Sequence, residues 1–278
     1  MKHDGRLRIE LVAAPDRFVT GEESALVNFL DGSKAKPRFV PPRPFESGIG
    51  GAPTLVQNVE TLAHLALIAR HGAAWFRELG SDGEPGSTLV TVSGGVPNPG
   101  VYEVGLGTAF RDIVIGAGGL TEPATALLVG GYFGGWLEAR TALGLSLLDA
   151  DLLPHGIGLG ARAIAVLPQS ACGVVETARV ARYLDGESAG QCGPCVNGLD
   201  AIATALERIA RGRPDRSPEQ ILRWASQVSG RGACKHPDGA ARFVESSLRV
   251  FAAEFDRHAH GRGCSGDGHT ILPVGAAR

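Results

Sequence analysis

The segment ESAGQCGPCVNGL, Glu187 to Leu199, constrains this chain more than any other stretch. Cys192 and Cys195 form a C-x-x-C, and Pro194 between them stands close to where a helix would begin, a favoured place for proline. Helix N-termini lower thiol pKa values and favour the thiolate, the form that binds metal. A third thiol, Cys234, lies in GRGACKHPDG, just before another helical stretch. Three residues before Cys192 stands Ala189, so the loop reads as C-x-x-C-x-x-C with its first thiol replaced by alanine. Three readings stay open on spacing alone. The pair is incidental or a disulfide; or Cys192, Cys195, Cys234 and His236 hold zinc; or the thiols hold an iron–sulfur cluster, since both metals take tetrahedral sulfur environments. Cys172 reads as a buried core thiol, and Cys264, in the polar GRGCSGDGHT, as a bystander.

Composition narrows the setting. A net charge of −2 over 278 residues gives no basic surface for nucleic acid and no polybasic run for a membrane. No apolar run reaches the roughly 18 residues needed to span a bilayer, so no membrane insertion is expected. MKHDGRLRIE lacks the apolar core of a signal peptide, which points to the cytoplasm. There thiols stay reduced, and a C-x-x-C is more often a metal or redox site than a disulfide.

The periodicities predict an α+β chain in three parts. RLRIELVAA alternates like a strand, and GEESALVNFL reads as a helix with Glu22 and Glu23 in its first turn. Val59, Leu62, Ala66 and Ala69 share a helical face, with Gly72 as a stop. LGSDGEPGS, residues 79–87, marks a boundary. After it, STLVTVSGGV, VYEVGLG, ALLVGGYFGG and ARAIAVLP read as strands around a short helix carrying Phe110, Ile113 and Val114, a small β-grasp unit. From Ala171 onward four helices form a bundle. Their faces are Val174/Ala178/Ala181/Leu184, Leu199/Ile202/Leu206/Ile209, PEQILRWASQV capped by Ser217, and Val244/Leu248/Phe251/Phe255. The expected parts are 1–83, 84–168 and 169–265, with a tail over 266–278.

Together these motifs resemble the C-terminal two thirds of a family of NADH-binding flavoproteins, subunits of respiratory complex I and of NAD-linked hydrogenases and formate dehydrogenases. RFVTGEESALVNFLDG is similar to the family's G-A-Y-x-x-G-E-E-T-A-L-x-x-x-L-E-G, and KPRFVPPRPFESGIGGAPTLVQNVETLA to its P-T-x-V-N-N-V-E-T-L region. VSGGVPNPGVYEV and GGYFGGWL resemble its SLBB β-grasp domain. ESAGQCGPCVNGL stands where the family has E-S-C-G-x-C-x-P-C-R-x-G, and GACKHPDGAARFVESSLRVFAAEFDRH resembles its fourth-cysteine region and last helix. The run extends from about Arg6 to Cys264.

The resemblance implies roles. Cys192, Cys195 and Cys234 correspond to three of four thiolate ligands of a [4Fe–4S] cluster; three thiolates also suit a [3Fe–4S] cluster. Candidate fourth ligands are Ser188, Cys172 and His236. Gly21, Glu22, Glu23 and Asn58 fall where the family contacts FMN or NADH. The implied function is an iron–sulfur electron-transfer component of a complex I-like NADH:acceptor oxidoreductase, relaying electrons from flavin to a partner. Such an acceptor is required because a flavin takes electrons in pairs and releases them singly. Implied partners are other oxidoreductase subunits, a thioredoxin-like [2Fe–2S] protein among them. The family's G-R-G-G-x-G-F loop has no counterpart here, Gln57 replaces an asparagine, Phe18 a tyrosine and Ala189 the first cluster cysteine. The implied enzyme is therefore an NADH dehydrogenase-type subunit that is not self-sufficient. The alternative is a non-catalytic scaffold or small-ligand-binding SLBB protein with zinc or no metal at its cysteines.

Overall fold

The computed structural model describes residues 9–264 and 270–274. The chain divides into two compact units, Met1–Val56 and Gln57–Arg278.

In the first unit a single helical turn, Phe18–Gly21, leads into helix α1, Glu23–Leu30, which buries Ser24, Ala25 and Val27. The rest is loop held by polar contacts. Asp31 Oδ1 accepts from the Gly50 N–H at 2.7 Å, and Ser24 Oγ accepts from the Arg38 N–H at 3.0 Å. The strand expected over residues 6–14 is not formed at 9–14, which pair with no strand among the described residues; residues 6–8 lie outside those described. Alternation provides a strand's two faces but not the neighbour that must accept its backbone hydrogen bonds.

The second unit opens with α2, Val59–His71, stopped by Gly72 at φ +90°, and the short α3, Ala73–Phe76. A five-stranded sheet follows: β1 (Ser87–Gly94), β2 (Gly100–Gly105), β3 (Ala124–Val129), β4 (Gly135–Glu138) and β5 (Ala163–Pro168). Its order is β2-β1-β5-β3-β4, with β1 and β5 parallel and the other pairs antiparallel. Helix α4, Phe110–Gly116, lays Phe110, Ile113 and Val114 against Val90, Val92, Leu127, Ile164 and Val166. Short helices α5 (Ala139–Ala142) and α6 (Asp149–Leu152) close that core. The β5 register begins at Thr91; upstream of it, Glu60 takes the Leu89 N–H at 2.8 Å and the Thr88 hydroxyl at 2.7 Å.

The helical part comprises α7 (Gly173–Gly186), a π-helical turn (Pro194–Leu199) running into α8 (Asp200–Ala210), α9 (Pro218–Val228), α10 (His236–Val250) and α11 (Ala252–Ala259). The faces expected for α7 and α8 are buried throughout. Ser217 caps α9 through the Gln220 N–H. The expected fourth helix is two helices, because the ladder breaks at Phe251 (φ −102°, ψ 24°), whose ring packs against Trp136 at 5.2 Å. The break is confined to that residue: its N–H still bonds the Ser247 carbonyl, and its carbonyl accepts from the Phe255 N–H, each at 2.9 Å. The turn between β3 and β4 carries Phe133, which meets Gly239 of α10 so closely that a Cβ there would lie 2.2 Å from the ring. That contact fixes the start of α10, and with it the loop that bears Cys234.

Candidate metal centre in the helical region

Cys192 and Cys195 lie at the entry to the π-helical turn, where the N–H groups of Cys195 and Val196 both bond the Cys192 carbonyl. Cys234 arrives from the loop before α10. The three cysteines line one cavity together with Ala189, Gly190, Gln191, Gly232, Ala233, His236 and Pro237. Gly190 adopts φ +64°, a left-handed turn that glycine makes without strain, and it carries the loop around the cavity. Gly198 lets the turn press against α9, since a Cβ there would lie 2.2 Å from Val228 Cγ1. Burial, with the Cys234 and Cys192 thiols beside it, pushes the Cys195 thiol up to about 12. A metal at this place therefore displaces a proton that solvent at neutral pH would leave on sulfur.

The spread of the thiols speaks to the kind of metal. Four-coordinate zinc with about 2.3 Å bonds to sulfur brings its sulfurs to about 3.8 Å of one another. Among the described residues, the group whose ligand atoms all lie within 4.8 Å of each other is Cys172, His258 and Cys264, and the three loop thiols are not such a set. At least one pair of the loop thiols is therefore farther apart than that, and all three line one cavity. His236 lines the same cavity. Its Nε2 donates to the Leu184 carbonyl at 2.7 Å, and its ring packs edge-on to Phe133.

Of the candidate fourth ligands, Cys172 is ruled out by the fold. It caps the N-terminus of α7 while the loop follows that helix's C-terminus, about 20 Å along a fourteen-residue helix. Ser188 is not among the residues lining the cavity, whereas Ala189 is.

The residues matched to flavin or nicotinamide contacts have local duties. Glu22 caps α1, its Oε2 accepting from the Ala25 N–H at 2.9 Å and the Ser24 hydroxyl at 2.6 Å. Asn58 caps α2 by accepting from the Thr61 N–H at 2.8 Å. Gly21 and Glu23 are exposed. Gly21, Glu22 and Glu23 belong to the first compact unit and Asn58 to the second.

Sequence reasoning missed a second thiol group. Cys172 and His258 are buried, and Cys264, read as a bystander, stands beside them. Burial and the neighbouring Cys264 thiol push Cys172 up to about 12.

The architecture is thus a β-grasp sheet followed by a helical region that gathers thiols around a loop. Residues 89–131 match the SLBB domain model, and residues 175–258 match the NADH-ubiquinone oxidoreductase-F iron-sulfur binding region. The chain is 35% identical over 253 residues to an NADH-quinone oxidoreductase subunit of Rhizobium meliloti, covering 89% of this chain and 59% of that protein. It is 34% identical over 270 residues to the corresponding NADH-quinone oxidoreductase subunit of Mycobacterium tuberculosis, covering 93% and 59%. A crystal structure of an NAD+-reducing [NiFe]-hydrogenase in the H2-reduced state superposes with a TM-score of 0.76 at 30% identity, covering 91% of this chain and 43% of that one. The chain is similar to these NADH-quinone oxidoreductase subunits over most of its own length and spans less than two thirds of theirs. Among the described residues no helix is long and apolar enough to cross a membrane.

Proposed function

We propose that the chain is the iron–sulfur electron-transfer component of a complex I-like NADH:acceptor oxidoreductase, working beside other oxidoreductase subunits. The observation that carries this reading is the placement of Cys192, Cys195 and Cys234 around one cavity, inside the stretch that matches an iron–sulfur binding region. These three thiolates would hold the cluster, [4Fe–4S] or [3Fe–4S]. A bound cluster takes up and passes on one electron at a time. The protein's part is to bring the thiols around one cavity, lined also by Gly190 and Gly232, and to keep His236 fixed against Leu184 and Phe133. Ala189 lines the cavity without offering a ligand. The division into a flavin-domain remnant (1–83), an SLBB domain (84–168) and an iron–sulfur-binding helical domain (169–265) is part of this proposal. FMN and NADH belong to the complete assembly: Glu22 and Asn58 stand at the matching positions, but their oxygens cap helices in this chain. A thioredoxin-like [2Fe–2S] protein is the proposed neighbour, and the cytoplasm the proposed location.

Anaerobic purification or reconstitution followed by iron, acid-labile sulfide and EPR measurements tests the reading. Iron with sulfide and an EPR signal, lost in Cys195→Ser, supports it. Zinc without sulfide at these thiols, or no metal at all, overturns it in favour of a non-catalytic SLBB scaffold. Ala189→Cys sharpens the test. A fourth thiolate adds negative charge beside the iron, so the variant's potential is expected to fall below that of the natural chain. An unchanged or higher potential would show that position 189 does not face the cluster.

A further inference from the structure

We propose a second metal site, a zinc site, formed by Cys172, His258 and Cys264 at the other end of α7 from the cysteine loop. It is independent of the iron–sulfur reading, sharing no residue with it. Three observations carry it. First, the Sγ and ring-nitrogen atoms of the three residues all lie within 4.8 Å of one another. Cys172 Sγ is 3.4 Å from His258 Nε2. A tetrahedral zinc with ordinary bonds to sulfur and nitrogen would set that separation at about 3.5 Å, so the pair already has the spacing of two ligands on one ion.

Second, the histidine is oriented from behind. His258 Nδ1 donates to the Ala210 carbonyl at 3.1 Å, at the C-terminal end of α8. That bond puts the proton on Nδ1 and leaves the Nε2 lone pair facing the two sulfurs. Metal-binding histidines are commonly held this way, with the far ring N–H bonded to a carbonyl or carboxylate. Cys172, at the N-cap position of α7, is buried beside that ring.

Third, a carboxylate stands beside Cys172. Glu254 lies one turn before His258 on α11, and its Oε2 is 3.9 Å from Cys172 Sγ while accepting from the Gly173 N–H at 3.0 Å. Two sulfurs, one nitrogen and an adjacent carboxylate form a borderline-soft set that suits zinc. Binding replaces the two S–H protons, released to solvent, by two zinc–sulfur bonds and changes no oxidation state. The consequence is mechanical: the ion would tie residue 264, beyond α11, to the start of α7. Nearby, Glu176 independently holds the Ile271 N–H at 2.7 Å.

Metal analysis of the anaerobically purified full chain, before and after incubation with a small excess of Zn2+ and dialysis, tests the site. The expected result is about one zinc per chain, lost in Cys172→Ser and Cys264→Ser while iron stays unchanged, and kept in Cys195→Ser, which loses iron instead. Co2+ in place of Zn2+ gives a second readout on the natural chain, free of any folding defect in a variant. Intense tetrahedral d–d bands with a thiolate charge-transfer band are expected. The proposal is overturned if the natural chain retains neither ion, if zinc persists in both serine variants, or if mass analysis finds Cys172 and Cys264 joined as a disulfide in the protein as purified.

Discussion

Helices α2 and α7 carry the same kind of sequence signal and meet opposite fates. α2 runs for thirteen residues and α7 for fourteen, and each shows apolar residues at helical spacing. α7 buries Val174, Ala178, Val180, Ala181 and Leu184, and even Glu176 and Thr177. α2 buries no residue at all, leaving Val59 at 82%, Leu62 at 50% and Leu65 at 62% exposure. Periodicity therefore reports which face of a helix is apolar and not whether a partner for that face is present. In α7 the partners are α8, α10, α11 and the β3–β4 turn, all close in the chain's own fold. α2 meets β1 through its Glu60 carboxylate and α3 through the His64–Phe76 ring contact, and its leucines stay exposed.

The strongest way to break this contrast is at Phe251. Its side chain is 2% exposed, stacks edge-on to Trp136 of β4, and covers Gly173 so closely that a Cβ there would lie 2.5 Å from the ring. It thus joins the sheet to α7 and to the junction of α10 and α11. Phe251→Ala is expected to lower the unfolding free energy by about 3–5 kcal/mol, read by urea denaturation followed by circular dichroism. A loss under about 1 kcal/mol would mean that the helical region does not depend on this junction.

The same ring marks a limit of what the residues disclose. Val244, Phe251 and Phe255 were legible as buried positions, but as one helix; the break at Phe251 follows from its fit against Trp136, more than a hundred residues earlier in the chain. The thiols divide in the same way. The C-x-x-C and Pro194 announce a loop at a helix start because those constraints are local. The Cys172–His258–Cys264 group depends on contacts spanning more than eighty residues, and nothing in local spacing brings Cys264 to Cys172. The faint signal was present in FDRHAHGRGC, a histidine and a cysteine six residues apart after an amphipathic helix. The carried-over Glu22 and Asn58 are both N-caps, a role the sequence did not disclose: Glu22 reads there as a first-turn acid, and Asn58 only by its resemblance to a cofactor contact.

A smaller perturbation tests the polar anchor of α2. Burial pushes the Glu60 carboxyl up, but the Leu89 N–H, the Thr88 hydroxyl and the Arg162 guanidinium hold it below the ordinary value of 4.5. A carboxyl depressed in the folded chain adds stability that is complete above its unfolded value and disappears as pH falls through the lower folded value. Glu60→Gln should therefore cost about 1 kcal/mol at neutral pH, a penalty that fades as pH falls through the depressed folded value and both chains come to carry a neutral side chain. Denaturation curves at several pH values check this, and a penalty that persists undiminished in acid would assign the effect to shape instead of charge.

The smallest expected effect lies on α2 itself. Leu65 is 62% exposed, and none of the residues around it on that helix is buried. Leu65→Ser removes apolar surface that water already reaches, so the unfolding free energy should move by no more than about 0.5 kcal/mol. The equivalent change in α7, Leu184→Ser, strips a fully buried side chain and leaves a hydroxyl in an apolar site. Measured side by side, the two leucines separate helices of similar amphipathic pattern by what covers them. A loss of about 2 kcal/mol or more at Leu65 would mean that α2 has a packing partner within this chain, and the contrast between the two helices would collapse.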